Sequence, residues 1–296
     1  ITYSFIFGAM FGDVGQGLIL FLGGLFLYKT KHMDLAGIIS CAGVFSVFFG
    51  FMYGSFFGFE DVLKAIWLKP MNQMMDVPLV GRLNAVFVIA IGFGMFIILI
   101  CMIFNIINSI RNKDAEKAWF DSNAVAGLVF YGSIVLTVGL FISGRKLPAT
   151  AVLVVMFGGP LLLMFLKEPL TNLVEKKSEI FPEQKGMFFV QSFFELFEVL
   201  LSYLSNTLSF LRIGAFAVSH AAMMEVVLML AGATNGGSPN WIVVVLGNIF
   251  VCAMEGLIVG IQVLRLEYYE IFSRFYAGNG REFQPFMKTL RKSVQK

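Results

Sequence analysis

The chain has 296 residues, 58% of them hydrophobic and 14% charged, with 34 phenylalanines, a mean hydropathy of +0.81 and a formal net charge of +3. Soluble domains carry about a quarter charged residues, so this composition excludes a soluble globular fold, and the scattered positive charge forms no basic block of the kind that binds nucleic acid. The length goes instead into apolar spans of about 20 residues each, which predicts an all-α, polytopic helical domain in a membrane over the whole of 1–296.

The chain opens at Ile1 with no methionine, charged leader or cleavage motif, and reads as a fragment whose N-terminal part is missing. Seven apolar stretches follow, at 1–28, 35–59, 84–110, 119–142, 148–166, 188–231 and 241–270. The loops at 29–34, 111–117, 144–146 and 167–185 all carry Lys or Arg, so the distribution of positive charge gives no clean alternation of sides. The turn over 232–240 has no charge and belongs outside, and the tail after Arg274, with Arg281, Lys288, Arg291 and Lys292, belongs in the cytoplasm. About seven or eight transmembrane helices are expected; if the N-terminus is cytoplasmic too, an even number of crossings is required, and one of the seven stretches is then miscounted or does not fully span. Of these, 1–166 would form a supporting bundle and 186–276 two long, tilted helices.

The early spans are rich in glycine at packing intervals: Gly8 and Gly12 form one pair, and Gly50, Gly54 and Gly58 a run of three, spacings that let helix backbones approach closely in lipid. Asp13 is the only acidic residue of the first stretch. Either it is a site carboxylate, or it bonds a neighbouring helix or lies near the interface; a packing role is expected. Cys41, Cys101 and Cys252 each sit inside an apolar run without Cys or His at ligand spacing, so neither a disulfide nor a metal site is indicated.

Arg212 stands inside 188–231, where an ionised side chain costs several kcal/mol or more. Around it Gln191, Glu195, Glu198, Ser202, Ser205, Ser209, Arg212 and Ser219 recur at intervals of 4, 3, 4, 3, 4, 3 and 7, with Phe216 in the missing slot. Alternation of three and four keeps residues on one side of a helix, and no proline interrupts it, so 188–231 is expected to be one continuous helix. About 44 residues at 1.5 Å each reach about 66 Å against a hydrocarbon core of about 30 Å, so the helix must tilt steeply or protrude. Phe193, Leu196, Leu200, Leu204, Leu208, Leu211 and Val218 make the other side apolar, leaving the polar stripe to a wet or charged surface.

The last stretch repeats the design, with Asn248, Cys252, Glu255, Gln262, Arg265 and Tyr269 at intervals of 4, 3, 7, 3 and 4. Buried membrane charges commonly pair, so Glu198, Glu255 and Arg265 pairing with one another and with Arg212 is the plain alternative to a transport role. His220 has two open readings: a group that titrates near neutral pH and relays protons, or one that hydrogen-bonds Glu255 or another helix. Glu225 falls near the outer end of its helix.

These blocks resemble the membrane domain of the large stator subunit of V/A-type rotary ATPases, called subunit a in eukaryotes and subunit I in prokaryotes. The carriers are Phe7 to Gly17, similar to the family's FGxMFGDxGHG; Gly43 to Gly54; Leu201 to Arg212 with Ser219 and His220; and Met254 to Tyr276. The resemblance implies that Arg212 is the family's essential stator arginine and Arg265 its second arginine. It ties Glu198, His220 and Glu255 to the half-channels; on this reading the 191–209 part of the long helix, with Glu195, Glu198, Ser205 and Ser209, is expected to line the cytoplasmic-side path, with His220, Glu255 and Gln262 towards the opposite one, while Asp13, Gly12 and Gly54 are expected to serve helix packing or structure. It further implies a rotor ring of small proteolipid (c or K) subunits and the peripheral and central stalks as partners, H+ or Na+ as cargo, and no cofactor held by this chain. Gln16 departs from the histidine that many members carry, and the family's N-terminal stalk domain is absent from this sequence. The 167–185 loop lacks the long acidic insertion of eukaryotic members, which leans to a prokaryotic plasma membrane over a eukaryotic endomembrane.

No GxxxxGK[ST] phosphate loop occurs, so this chain is expected to have no catalytic site of its own. The alternative function is a secondary cation/proton antiporter, which would require an inverted repeat and interrupted helices at the midplane. The first half has no second copy of the Glu/Ser/Arg stripe.

Overall fold

The computed structural model describes residues 1–59, 62–71, 73–77, 81–112, 116–146, 148–174, 185–233, 239–276 and 278. The expected outer turn at 232–240 and the basic tail beyond 278 lie wholly or largely outside these residues.

The first apolar stretch is two helices, not one span: α1 (Thr2–Met10) and α2 (Val14–Lys31). Asp13 causes the division. Extended at φ −138°, ψ 130°, it caps α2 by accepting from the Gln16 amide, and so starts a new helix in the middle of an apolar run. The carbonyls released at the break are taken up from α3 (Asp34–Tyr53) and its flank: Ser46 Oγ donates to Phe11 O, and Tyr53 OH donates to Ala9 O at 3.0 Å. α2 and α3 pack as an antiparallel hairpin at the distance glycine allows, since a Cβ on Gly43 would stand 2.4 Å from the Phe21 amide nitrogen and one on Gly50 2.4 Å from that of Val14. Gly54 and Gly58 do different work from the packing read in the sequence. Gly54 ends α3 at φ 76° and Gly58 turns the following segment at φ 81°, a left-handed conformation that side chains rarely adopt.

A short antiparallel hairpin, β1 (Met74–Val77) with β2 (Gly81–Asn84), pairs Met74 with Asn84 and leads into α4 (Ala85–Arg111). α5 (Val125–Ile142) packs on α4, and α6 (Thr150–Phe165) on α5. Pro160 inside α6 withdraws one amide; the Met156 carbonyl four residues earlier receives Ser133 Oγ from α5 at 3.4 Å. α6 bends by 72° into α7 (Lys167–Val174).

The long polar-striped segment is α8 (Lys185–Ser209) followed by α9 (Leu211–Leu230), interrupted at one residue, Phe210. Thr207 explains the interruption: its hydroxyl donates to Tyr203 O at 2.7 Å, while Tyr131 OH approaches the same hydroxyl oxygen at 2.7 Å and so supplies its own hydrogen. Such back-bonding bends helices. The local ladder tightens to three-residue bonds, Phe210 N to Thr207 O and Ile213 N to Phe210 O. Phe210 is fully buried, its ring seated where a Cβ on Gly94 of α4 would otherwise be. Its dihedrals remain helical, and the 45 residues 186–230 run as a single span. α10 (Trp241–Leu266) continues through a π-turn at Glu267–Phe272 into α11 (Ser273–Phe275), 35 residues in all.

Five helices among the described residues are long and apolar enough to cross a membrane, or six if the bent α6–α7 pair is one span. The fold is thus an all-α polytopic membrane domain, with fewer full spans than the seven or eight expected. α1 has only nine residues, and α2 carries Gln16, Lys29 and Lys31 within its 18.

Candidate functional site: the faces of α8, α9 and α10

Each long helix divides its residues between two faces. On α8 and α9, Tyr203, Thr207, Phe210, Ile213, Ala217, His220 and Met224 turn into the protein, while the stripe turns outwards. Gln191, Glu198, Ser202, Ser205 and Ser219 are exposed, and Glu195, Ser209 and Arg212 are half-buried. The stripe is therefore an outer surface of this chain. Glu195 forms an ion pair with Lys167 at the start of α7. Glu198 and Glu225 are both exposed.

Arg212 follows the Phe210 interruption directly. Its Nη1 is buried and finds no hydrogen-bond partner among the described residues. Of the charges it feels, Glu270 in the π-turn is attractive and Arg265 repulsive. Arg265 itself is exposed and Gln262 half-buried on α10.

Eight residues on, His220 and Glu255 meet in the interior. Nδ1 stands 2.7 Å from Oε2, with only 3% and 2% of the two side chains exposed, and Phe11 packs its ring 4.8 Å from the imidazole. Of the two readings of His220, the hydrogen bond to Glu255 is formed, and a relay through it is not thereby removed. Glu255 spends itself on His220, so the pairing of Glu198, Glu255, Arg265 and Arg212 among themselves is not the arrangement found. His220 Nε2 and Glu255 Oε1 are buried without partners among the described residues. A cavity of about 20 Å³, bounded by Gly12, Tyr53, Ser55, Ala217 and Met224 among others, lies against His220 and has room for about one water. Gly12 is needed there, because a Cβ would fall 2.5 Å from the Tyr53 ring.

Gln16 and Asn248, both buried, join α2 to α10 through a 2.8 Å bond from Nε2 to Oδ1, and Met224 Sδ lies 3.2 Å from the same nitrogen. Asp13 is fully buried and accepts from four donors: Gln16 N at 2.9 Å, Ser55 Oγ at 2.6 Å, Phe57 N at 3.1 Å and Gly58 N at 3.0 Å. Its partners belong to its own helix and to the turn after α3. A cleft of about 1060 Å³ between α2, α3 and α10 is lined almost wholly by apolar side chains such as Leu20, Leu35, Val245 and Leu257, and none of the charged stripe residues lines it.

Spacing alone missed three buried charges at the end of the last helix. Glu267, Glu270 and Arg274 are 7%, 4% and 6% exposed. Thr2 Oγ1 donates to Glu267 Oε1, and Arg274 Nη1 donates to Asn123 Oδ1 at 2.8 Å while its guanidinium carbon lies 5.9 Å from the centre of the Tyr203 ring. Their intervals of three and four were visible, but they follow a different stripe from Gln262, Arg265 and Tyr269. The π-turn rotates that stripe inwards.

A family model described as the V-type ATPase 116kDa subunit family matches residues 164–288, which include α8 to α11. The chain is similar over nearly its whole length to curated relatives. It is 28% identical to an A-type ATP synthase subunit I of Aeropyrum pernix, covering 96% of this chain and 46% of the relative. It is 27% identical to one of Pyrococcus horikoshii, covering 96% and 42%. A vacuolar proton translocating ATPase 100 kDa subunit of Dictyostelium discoideum is 22% identical, over 98% and 49%. The chain thus spans about half the length of the relatives it matches. Matches over 96% or more of this chain, a helical membrane domain with a lone arginine on its longest described helix, support the V/A-type ATPase subunit a/subunit I family.

Proposed function

We propose that this domain is the ion-translocating stator of a V/A-type rotary ATPase, working against a ring of proteolipid subunits in a prokaryotic plasma membrane and linked to the stalks through the rest of its protein. The observation that carries the reading is Arg212: a permanent cation on an outward polar stripe, with a buried Nη1 that nothing in the described chain satisfies. A guanidinium so placed suits a carboxylate supplied by another subunit.

At about 4 Å, an arginine favours the ionised form of a carboxylate by on the order of 4 kcal/mol at an effective dielectric of 20, about three pKa units. A ring carboxylate reaching Arg212 releases its H+ or Na+ there. Because guanidinium does not deprotonate in proteins, Arg212 passes no proton across itself, and its charge keeps the two access paths apart. On this proposal Glu195, Glu198, Ser205 and Ser209 line the cytoplasmic-side path, and His220, Glu255 and Gln262 the opposite one. Arg265 adds a second cation beside the ring. This chain then contributes no ATP chemistry, only the coupling of rotation to ion movement.

The test is Arg212→Ala in the assembled complex, reconstituted into vesicles. ATP-driven ion uptake is expected to fall to background with the complex still assembled; uptake at the wild-type rate would sink the reading.

A further inference from the structure

Arg212 lies between two points at which its helix is held hard against α4. Two residues before it, the Phe210 ring is fully buried over Gly94, where a Cβ would stand 2.2 Å from Phe210 Cγ. Two residues after it, Gly214 returns the arrangement: a Cβ there would stand 3.0 Å from the Phe87 ring and 3.3 Å from Val86 O. Each helix thus supplies one phenylalanine and one glycine, and the two contacts bracket the arginine. Interlocked packing of this kind resists rotation of α9 about its own axis.

The rotation itself is set by the tightened ladder at Phe210. A residue in a three-residue-bonded turn advances about 120°, against about 100° in an α-helix, so each one carries everything beyond it about 20° further round. Two such bonds, Phe210 N to Thr207 O and Ile213 N to Phe210 O, stand at the join between the α8 stripe and Arg212. Hydroxyls hold the tightening in place: Thr207 Oγ1 donates back to Tyr203 O, and Tyr131 OH of α5 donates to Thr207 Oγ1 at 2.7 Å. Tyr203 is a fixed point for that bond. Its own hydroxyl donates to Ser122 O, its ring stacks on Phe130 at 6.0 Å, and the Arg274 guanidinium carbon lies 5.9 Å from its centre.

We infer that Tyr131 is a positioning residue for ion transfer: its hydroxyl, acting through Thr207, locks the tight turn at Phe210 and so sets the rotation at which α9 presents Arg212 to a ring carboxylate. The inference rests on the reading of Arg212 proposed above. Tyr131 and Thr207 are both buried, on the side of the long helix opposite to the stripe. A side chain reaches about 5–6 Å from the helix axis, so about 20° of rotation moves it by about 2 Å. Separating an arginine from a carboxylate by about 6 Å in place of about 4 Å weakens their attraction by about a third, about one pKa unit of the carboxylate at an effective dielectric of 20. The charges that Arg212 feels are Glu270 in the π-turn and Arg265 on α10. Of the other elements packed on α9, α1 has no charged side chain and α4 none before Arg111, while Tyr3 and Cys101 on them are neutral at ordinary pH. On α8, Glu195 pairs with Lys167 and Glu198 is exposed, and Glu255 of α10 pairs with His220. Loss of the Tyr131 hydroxyl removes none of these charges.

The experiment measures ATP-driven uptake against pH in the whole complex in vesicles, both sides buffered alike, with retention of the proteolipid ring checked on the same sample. Tyr131→Phe keeps the shape of the side chain and removes only the hydroxyl; Thr207→Val keeps the shape and removes the acceptor. In either variant the ring carboxylate ionises less readily beside Arg212, so the acid limb of uptake should move up by on the order of one pH unit, about tenfold in rate on that limb. If the cargo is Na+, half-inhibition by Na+ inside the vesicles should come at about tenfold lower concentration. The double variant should move no further than either single one, because both act on one turn. Thr207→Ser, which keeps the hydroxyl, should keep the wild-type limb. Loss of assembly alone lowers uptake and leaves the limb in place, so an unshifted limb in either variant that retains the ring overturns the inference, as does a Thr207→Ser limb that moves as far as that of Thr207→Val. Failure of both variants to retain the ring would make the hydroxyls an assembly contact and overturn it equally. Arg212→Ala, run alongside, separates the two readings. Uptake retained there removes the role of Arg212 itself, whereas uptake lost there with wild-type limbs in the Tyr131 and Thr207 variants removes only the positioning.

Discussion

At the scale of single residues, burial without a partner and burial with a full set of partners have opposite meanings. Asp13 is fully buried and holds four donors, so its carboxylate is a structural joint between α2 and the turn after α3. Asp13→Ala removes an N-cap, worth about 1 kcal/mol, and leaves buried backbone amides unpaired at about 1–3 kcal/mol each. The subunit should lose about 3 kcal/mol or more, seen as a lower unfolding temperature in detergent. Asp13→Asn separates the two oxygens: Gln16 and Phe57 bond Oδ1, whereas Ser55 and Gly58 bond Oδ2, where an amide nitrogen would face two donors. About half the loss is expected, and an unchanged unfolding temperature for Asn would show that the charge is dispensable. His220, Glu255, Arg212 and Glu270 are the contrasting kind, each with at least one buried atom left unsatisfied. Buried polar atoms in folded proteins are mostly paired, so these four mark where water, cargo or a partner's side chain completes the site.

At the scale of elements, the helices are set by where backbones can touch. Gly43 lets α3 meet the backbone of α2, and no side-chain movement can make room for a methyl 2.4 Å from the Phe21 amide nitrogen. Gly43→Ala should therefore force the two helices apart and destabilise the subunit by about 1–3 kcal/mol. Gly23 on α2 faces open space, so Gly23→Ala should be neutral or stabilising by up to about 1 kcal/mol through helix propensity. Thermal unfolding of the pair in detergent checks the contrast; equal unfolding temperatures would refute the close approach. Much at this scale was legible in advance. The glycine spacing, the length of the striped helix and its polar face all follow from sequence intervals. The interruption at Phe210 was not legible, because it depends on Thr207 meeting Tyr131 from another helix. The division at Asp13 was not read either, although an Asp three residues before the amide-bearing Gln16 is an ordinary capping signal; in an apolar run, hydropathy outvoted it.

For the whole molecule, the outward faces of α8, α9 and α10 matter most. A stripe of Gln, Glu, Ser and Arg faces outwards on α8 and α9, exposed or half-buried, and α10 carries large exposed apolar residues such as Phe250, Leu257 and Ile261. Lipid covers the apolar part well and the stripe poorly, which suits a proteolipid ring bearing carboxylates at the height of Arg212. The full-length protein, extracted in mild detergent, should carry a small two-helix proteolipid ring, and ion uptake by that complex should be abolished by modifying the ring carboxylates. Purification that consistently yields no such ring would contradict the partner. By itself the sequence determined the class of protein, the longest apolar helices, the stripe and the isolated arginine, because hydropathy and periodicity are properties of one helix at a time. Only the tertiary structure decided which side chains meet: Glu255 with His220, Glu267 with Thr2, and Arg274 with Asn123. Pairing depends on the height and rotation of one helix against another. In the last helix a single π-turn changes that rotation, which no count of intervals along an ideal helix contains.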